Sequence, residues 1–168
     1  SRKASIYNPE QIVLGDNIRI DDFCILSGNI KLGSYIHISA YTCLIGGVKG
    51  IILQDFVTVS SRCAVYAVSD DFSGEQLNNS MIPTAYRSVI EGRVILEDYV
   101  SVGTGSTILP GVKLEEGAAV GAMSFVKHTL EGWKIYAGAP CRYVKDRNQN
   151  MKQLRAVLQN SGEYEESR

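Results

Sequence analysis

The 168-residue chain carries seventeen basic and eighteen acidic side chains, a net charge of −1. That balance offers no field for nucleic acid or an anionic membrane surface, and no apolar run approaches the length of a membrane span. Cys24, Cys43, Cys63 and Cys141 form no C-x-x-C pair and no zinc spacing, and the opening Ser1-Arg2-Lys3 is followed by no apolar stretch, so no signal peptide is expected and the cysteines are expected to be reduced thiols of a cytoplasmic protein.

Residues 1–13 lack periodicity and are expected to cap the body, with Ile6 and Ile12 over its open end. From Leu14 an aliphatic residue recurs every sixth position, through Ile20, Leu26, Leu32, Ile38 and Leu44. The series resumes at Leu53, Val59 and Val65, and again from Leu96 through Val102, Ile108, Leu114, Val120 and Val126. A small or branched residue follows four places after most rungs, among them Cys24, Thr42, Cys63, Ser106 and Ser124. No helical face accepts a strict six, and a flat strand would alternate by two without Gly and Asp returning at each sixth place. The period instead describes a short strand, a turn, and another strand on a new face. Three such units close a coil, so that Leu14 stacks on Leu32 and Ile20 on Ile38.

The expectation is an all-β parallel β-helix of about five coils over residues 14–131, within a single domain of residues 1–168. Two breaks interrupt it. Three extra residues fall within the segment from Ile45 to Gly50, and a long loop is inserted over 66–94. Long aperiodic excursions from rigid scaffolds commonly carry function. After Val126 the ladder stops, and residues 132–168 form an extension. Met151, Leu154, Val157 and Leu158 mark a short amphipathic helix near 148–158, and the polar segment 162–168 is expected to fray.

Four segments carry a family resemblance. They are Val94-Ile95-Leu96-Glu97-Asp98-Tyr99-Val100-Ser101-Val102-Gly103, Ile108-Leu109-Pro110-Gly111-Val112, Ala119-Val120-Gly121-Ala122-Met123-Ser124 and Ala137-Gly138-Ala139-Pro140-Cys141-Arg142. In this order and spacing they resemble the hexapeptide-repeat acetyltransferases of left-handed parallel β-helix fold. The match is to the galactoside and maltose acetyltransferase branch and its relatives in surface-polysaccharide synthesis. The resemblance implies a homotrimer that binds acetyl-CoA in a groove between subunits. It points to cofactor binding at Gly103, Gly121, Ala122, Ala139 and Arg142, with Lys127 a further candidate cation; the alternatives are tight turn residues and solvated surface charge. The small residues would keep the wall low for a pantetheine arm, and the cations would meet phosphate. The chain departs from the branch at Lys127-His128, where Thr-Lys is usual, and at Ser101, where an aromatic residue is usual.

The branch carries its catalytic His in the inserted loop. Here that loop contains no His, and Asp70 stands at the matching place. A sugar hydroxyl needs a base such as imidazole, for which a carboxylate of ordinary pKa near 4 is a poor substitute. An amine with a pKa near 8 is partly neutral at pH 7 and attacks a thioester unaided once positioned. Asp70 or Asp71 would then stabilise the cation that develops; both carboxylates also fit a purely turn-capping role. His37, preceding Ile38 at an outward bend, is a further catalytic candidate or an interface residue. Glu75, Tyr86 and Arg87, with Asp70, are candidates for the acceptor, and Arg87 suits a nucleotide diphosphate.

The favoured reading is thus N-acetylation of a nucleotide-linked amino sugar for surface polysaccharide. Sugar O-acetylation and a non-catalytic assembly module are the alternatives. A zinc enzyme on this scaffold requires three His ligands, and the chain has two.

Overall fold

The computed structural model describes residues 1–161; the polar segment expected to fray, 162–168, lies outside them. The six-residue ladder is a parallel β-helix with three faces. On each, the rung side chain points inward and the backbone bonds to the next coil. Ile25 pairs with Cys43, Ile18 with Ile36 and Ile95 with Lys113, each eighteen residues apart and in parallel register.

Face one stacks Ser5–Tyr7, the start of Ile25–Leu32, the start of Cys43–Leu53, Ala64–Tyr66, Thr107–Ile108 and Phe125–Val126. Face two stacks Ile12–Leu14, the ends of the same two long strands, Val94–Leu96, Lys113–Leu114 and a bridge at Leu130. Face three stacks Ile18–Ile20, Ile36–Ile38, Thr58–Val59, Ser101–Val102, Ala119–Val120 and Lys134–Ala137, closed by the antiparallel strand Arg142–Asp146.

Each face therefore has six parallel rungs, more than the five coils the period implies. The surplus comes from the ends. Ser5 pairs with Ile25 twenty residues on, and Ala119 with Ile135 sixteen on, so backbone stacking continues where the six-residue spacing has lapsed. Ile6 on the first rung is 45% exposed, while Ile12 packs against the core.

The rungs from Leu26 to Leu114 form the core, each at most 1% exposed. The polar residues on this inner line are all satisfied. Thr42 Oγ1 donates to the Ser60 carbonyl at 2.8 Å, and the hydroxyls of Ser106 and Ser124 donate to the Gly121 carbonyl at 3.0 and 2.7 Å. Such pairing removes the desolvation cost of burying them.

The corner between faces two and three is a column of aromatic rings, Tyr35, Phe56, Tyr99 and Trp133. Each adopts the left-handed backbone, with φ between 52° and 63°, and successive centroids lie 4.9, 5.5 and 5.7 Å apart. A left-handed bend is costly for a residue with a Cβ, and ring stacking offsets part of that cost. Helix α1, Asn150–Asn160, lies over this column two residues later than the spacing implied. Met151, Leu154 and Leu158 line a shallow groove with Phe56 and Tyr99, although Leu154 remains 57% exposed; Val157, 64% exposed, lies outside it.

Candidate active site

Both breaks in the ladder occur at one corner, between faces one and two. The short insertion bulges within Cys43–Leu53. The long arm leaves face one at Tyr66 and re-enters face two at Val94, which pairs with Ile51. The arm is a two-stranded ribbon in which Val68–Asp70 runs antiparallel to Val89–Glu91, with Asp70 opposite Val89. Arg93 Nε donates to the Lys49 carbonyl at 3.0 Å and ties the returning arm to the short insertion.

Under the ribbon lies a cleft of about 580 Å³, lined by Ile45, Tyr66, Asp70, Phe72, Arg87 and Leu109 among others. Arg87 Nη1 stands 3.8 Å from Asp70 Oδ1, with both side chains roughly a quarter exposed, at 23% and 30%. Burial pushes the Tyr66 hydroxyl above its ordinary pKa.

Of the residues proposed from sequence, the cleft brings together Asp70 and Arg87 only. Asp71 is occupied elsewhere: its Oδ1 accepts from the Ser73 amide and its Oδ2 from the Ser88 hydroxyl, both at 2.9 Å. Those bonds, the Ser73 amide foremost, hold its carboxyl below the usual range. Glu75 and Tyr86 line a separate groove at the arm's tip, with Gly74, Gln76, Leu77 and Ala85.

The corner between faces three and one carries the other group. The residue following each third-face rung stacks into a column: Asp21, Ser39, Ser60, Gly103, Gly121 and Ala137, with the first five each donating a backbone N–H to the next coil at 2.7–2.9 Å. Backbone approaches backbone closely there. A Cβ on Gly103 would sit 2.5 Å from the Ala122 nitrogen, and one on Gly121 would sit 3.0 Å from the Ala137 Cβ. Ala122 is exposed beside this low wall. Lys127, Ala139 and Arg142 are exposed near the C-terminal end of the coil, and among the described residues neither cation has an ion-pair partner. His37 lies toward the opposite end, on face three. Its Nε2 is 2.9 Å from Asp21 Oδ2 and 3.5 Å from Ser39 Oγ. Hydrogen bonding from His37, then from Arg19, holds the Asp21 carboxyl below the usual range.

Ser60, which belongs to no motif, follows Val59 as Gly103 follows Val102 and so lies one rung along the same column. Among the described residues no group of three His, Cys, Asp or Glu side chains is placed to hold a metal ion.

No family model matches the chain. The dTDP-4-amino-4,6-dideoxy-D-glucose acyltransferase of Escherichia coli is 37% identical over 164 residues, covering 96% of this chain and 85% of that protein. WbbJ of Escherichia coli strain K12, a putative lipopolysaccharide biosynthesis O-acetyl transferase, is 26% identical over 152 residues, 88% of this chain and 75% of WbbJ. AntD, an N-acyltransferase from Bacillus cereus seen in complex with dTDP-4-amino-4,6-dideoxyglucose and coenzyme A, is 51% identical. It superposes with a TM-score of 0.94 over 96% of this chain and 87% of AntD. With a six-residue ladder wound into a three-faced coil and relatives at 37% and 51% identity along nearly its whole length, the chain belongs to the hexapeptide-repeat acyltransferases.

Proposed function

We propose that the protein transfers a short acyl group, acetyl or one of similar size, from coenzyme A to the amino group of a nucleotide-linked amino sugar in surface-polysaccharide synthesis. One observation carries this reading. The arm that would hold a catalytic His has none, and its cleft presents Asp70 beside Arg87 instead. The amine nitrogen attacks the thioester carbonyl directly. As the C–N bond forms and the C–S bond breaks, the C–S electron pair leaves on sulfur and the proton shed by nitrogen passes to that thiolate, releasing CoA as its free thiol. Asp70 accepts a hydrogen bond from the amine and stabilises the positive charge that grows on it, and Arg87 meets the diphosphate.

The AntD complexes support the acceptor and donor classes, since they hold dTDP-4-amino-4,6-dideoxyglucose with coenzyme A, or dTDP with 3-hydroxybutyryl-CoA. AntD has also been crystallised with substitutions at one serine and at an aspartate ten positions further on. Ser60 and Asp70 have that spacing. Two other Ser/Asp pairs share it, but in them Asp71 caps a turn and Asp98 is held by Arg155. Ser60 would sit beside the thioester, with the pantetheine arm along Gly103, Gly121 and Ala122 and the CoA phosphates toward Lys127, Ala139 and Arg142.

The cofactor column and the Asp70 cleft stand at opposite edges of face one. A neighbouring subunit's corner would complete each site, which favours a homotrimer with three interfacial sites. No helix among the described residues is long and apolar enough to cross a membrane, and the reading puts the reaction in the cytoplasm, where CoA thioesters are available.

Incubating the purified protein with acetyl-CoA and paired acceptors, an amino sugar nucleotide and its hydroxyl counterpart, tests this. Free-thiol release is expected with the amine alone. Release with the hydroxyl acceptor alone would establish O-acetylation instead, the activity in WbbJ's name.

A further inference from the structure

A second groove, of about 570 Å³, runs along the same corner from the arm toward the N-terminal end of the coil. Asn8, Gln11, Ser27, Asn29, Gly47 and Val48 line it, and it meets the Asp70 cleft at Ile45 and Val68, which line both. These residues come from successive coils, so the groove runs roughly parallel to the helix axis.

Two features separate it from an ordinary furrow. Among the described residues, none of the side chains of Asn8, Gln11, Ser27 and Asn29 is hydrogen-bonded to another protein group. Asp21 is committed to Arg19 and His37, and Asp71 to Ser73 and Ser88; the groove at the arm's tip, with Glu75, Gln76 and Tyr86, is uncommitted too among the described residues but shares no lining residue with the Asp70 cleft. The groove is also built by the break in the ladder. The short insertion supplies Gly47 and Val48, and the arm packs against it so closely that a Cβ on Gly47 would lie 2.9 Å from Val68 Cγ1.

We infer that this groove binds the pyrimidine nucleoside of the acceptor, with the diphosphate crossing at Val68 toward Arg87 and the amino sugar reaching Asp70. The inference rests on the reading of the acceptor as a nucleotide-linked amino sugar. A pyrimidine-2,4-dione presents carbonyl, N–H and carbonyl along one edge. A carboxamide offers an acceptor and a donor side by side, so one Asn or Gln matches two of those three groups and a second amide or the Ser27 hydroxyl takes the third. Val48, 78% exposed, and Val68 offer apolar contact to the ring face. The contiguity of the two grooves lets one ligand span them without a bend through protein.

The test uses the full chain and isothermal titration with dTDP and, separately, with CoA. Wild type is compared with the double variant Gln11→Ala/Asn29→Ala and with Val48→Asp. The last sets a carboxylate on an exposed position, where folding is not at stake and the nucleotide is repelled. Both variants are expected to bind dTDP about tenfold or more weakly, the loss of two hydrogen bonds or of one apolar contact plus repulsion, while CoA affinity is unchanged. Unaltered dTDP affinity in both variants overturns the assignment, as does a wild type that binds no dTDP. Thiol release separates this from the function itself. If wild type acylates the amino sugar nucleotide but its dTDP affinity ignores both variants, the groove is wrong and the function stands. If no amine acceptor is acylated yet dTDP binds and the variants weaken it, the function is wrong and the groove stands.

Discussion

Asp70 and Arg87 face each other at 3.8 Å, beyond hydrogen-bonding distance but within the reach of one small ligand group. An ion pair this open leaves both heads with unfilled directions, which suits an amine on one side and a phosphate on the other. Asp70→Asn keeps the shape and removes the charge. Turnover is expected to fall by roughly 100-fold, with stability changed by no more than about 0.5 kcal/mol. The pH profile adds a readout that mere damage would not reproduce. With direct attack by a neutral amine, kcat/KM of wild type and variant alike rises with pH toward the amine's pKa, about 8. A profile in the variant that loses this rise would place the titrating base in the protein.

The glycine column separates two roles that look alike in sequence. Gly103→Ala drives a methyl group to 2.5 Å from the backbone nitrogen of Ala122, where nothing flexible can yield. We expect a loss of about 1–3 kcal/mol in stability, read as a lower denaturation midpoint. Gly121→Ala meets the Ala137 methyl group at 3.0 Å and the Tyr136 carbonyl at an ordinary 3.5 Å, so a shift of a few tenths of an ångström absorbs it. Its expected effect is on CoA affinity, weakened several-fold with the midpoint nearly unchanged. Equal thermal losses in the two variants would remove Gly121 from the cofactor wall.

How much of this was legible follows from what repeats. Burial imposes the six-residue ladder from Leu26 to Val126, while Leu14 at the open end keeps the spacing although 51% exposed; the three-faced coil and its inner Thr42, Ser106 and Ser124 could be read directly. The end rungs could not, because Ser5 and Ile135 pair by backbone at offsets of twenty and sixteen that leave no trace in side-chain pattern. Asp70 and Asp71 are neighbours of one residue type, and only the ribbon decides between them, turning Asp70 to the cleft and Asp71 to Ser73 and Ser88. Asn8, Gln11, Ser27 and Asn29 carry no motif at all; separate coils bring them side by side.

Arg155 fastens helix α1 to the body. Its Nη1 donates to Asp98 Oδ2 at 2.7 Å and its Nη2 to Asp55 Oδ2 at 3.0 Å, and the guanidinium lies 4.8 Å from the Phe56 ring centre. Arg155→Ala strands two part-exposed carboxylates and removes the stacking. We expect a cost of about 2 kcal/mol, or a fall of about 4–8 °C in the thermal midpoint. Arg155→Lys should recover only a minor part, because a single ammonium cannot span both carboxylates. A helix held mainly by Met151, Leu154 and Leu158 would predict the opposite, with little change in either variant.

Acid should loosen the arm before the coil. The Ser73 amide, then the Ser88 hydroxyl, hold the Asp71 carboxyl below its usual 3.8 in the folded protein. A depressed folded pKa means the ionised form is the one the fold prefers, so this contribution is complete well above pH 3.8 and is lost as pH falls through the folded value. The coil core is aliphatic, and the coil's own depressed carboxyl, Asp21, lies at its N-terminal end, two rungs before Thr58–Val59 on face three. Hydrogen exchange across a pH series should therefore show protection fading first at Ser73 and in the ribbon pairing Val68–Asp70 with Val89–Glu91, while the amides of Thr58–Val59 and Ser101–Val102 stay protected. Asp71→Asn should show the loosened ribbon at neutral pH and abolish the acid step there. Ribbon and coil losing protection together, with the variant matching wild type, would mean that Asp71 does not hold the arm's turn.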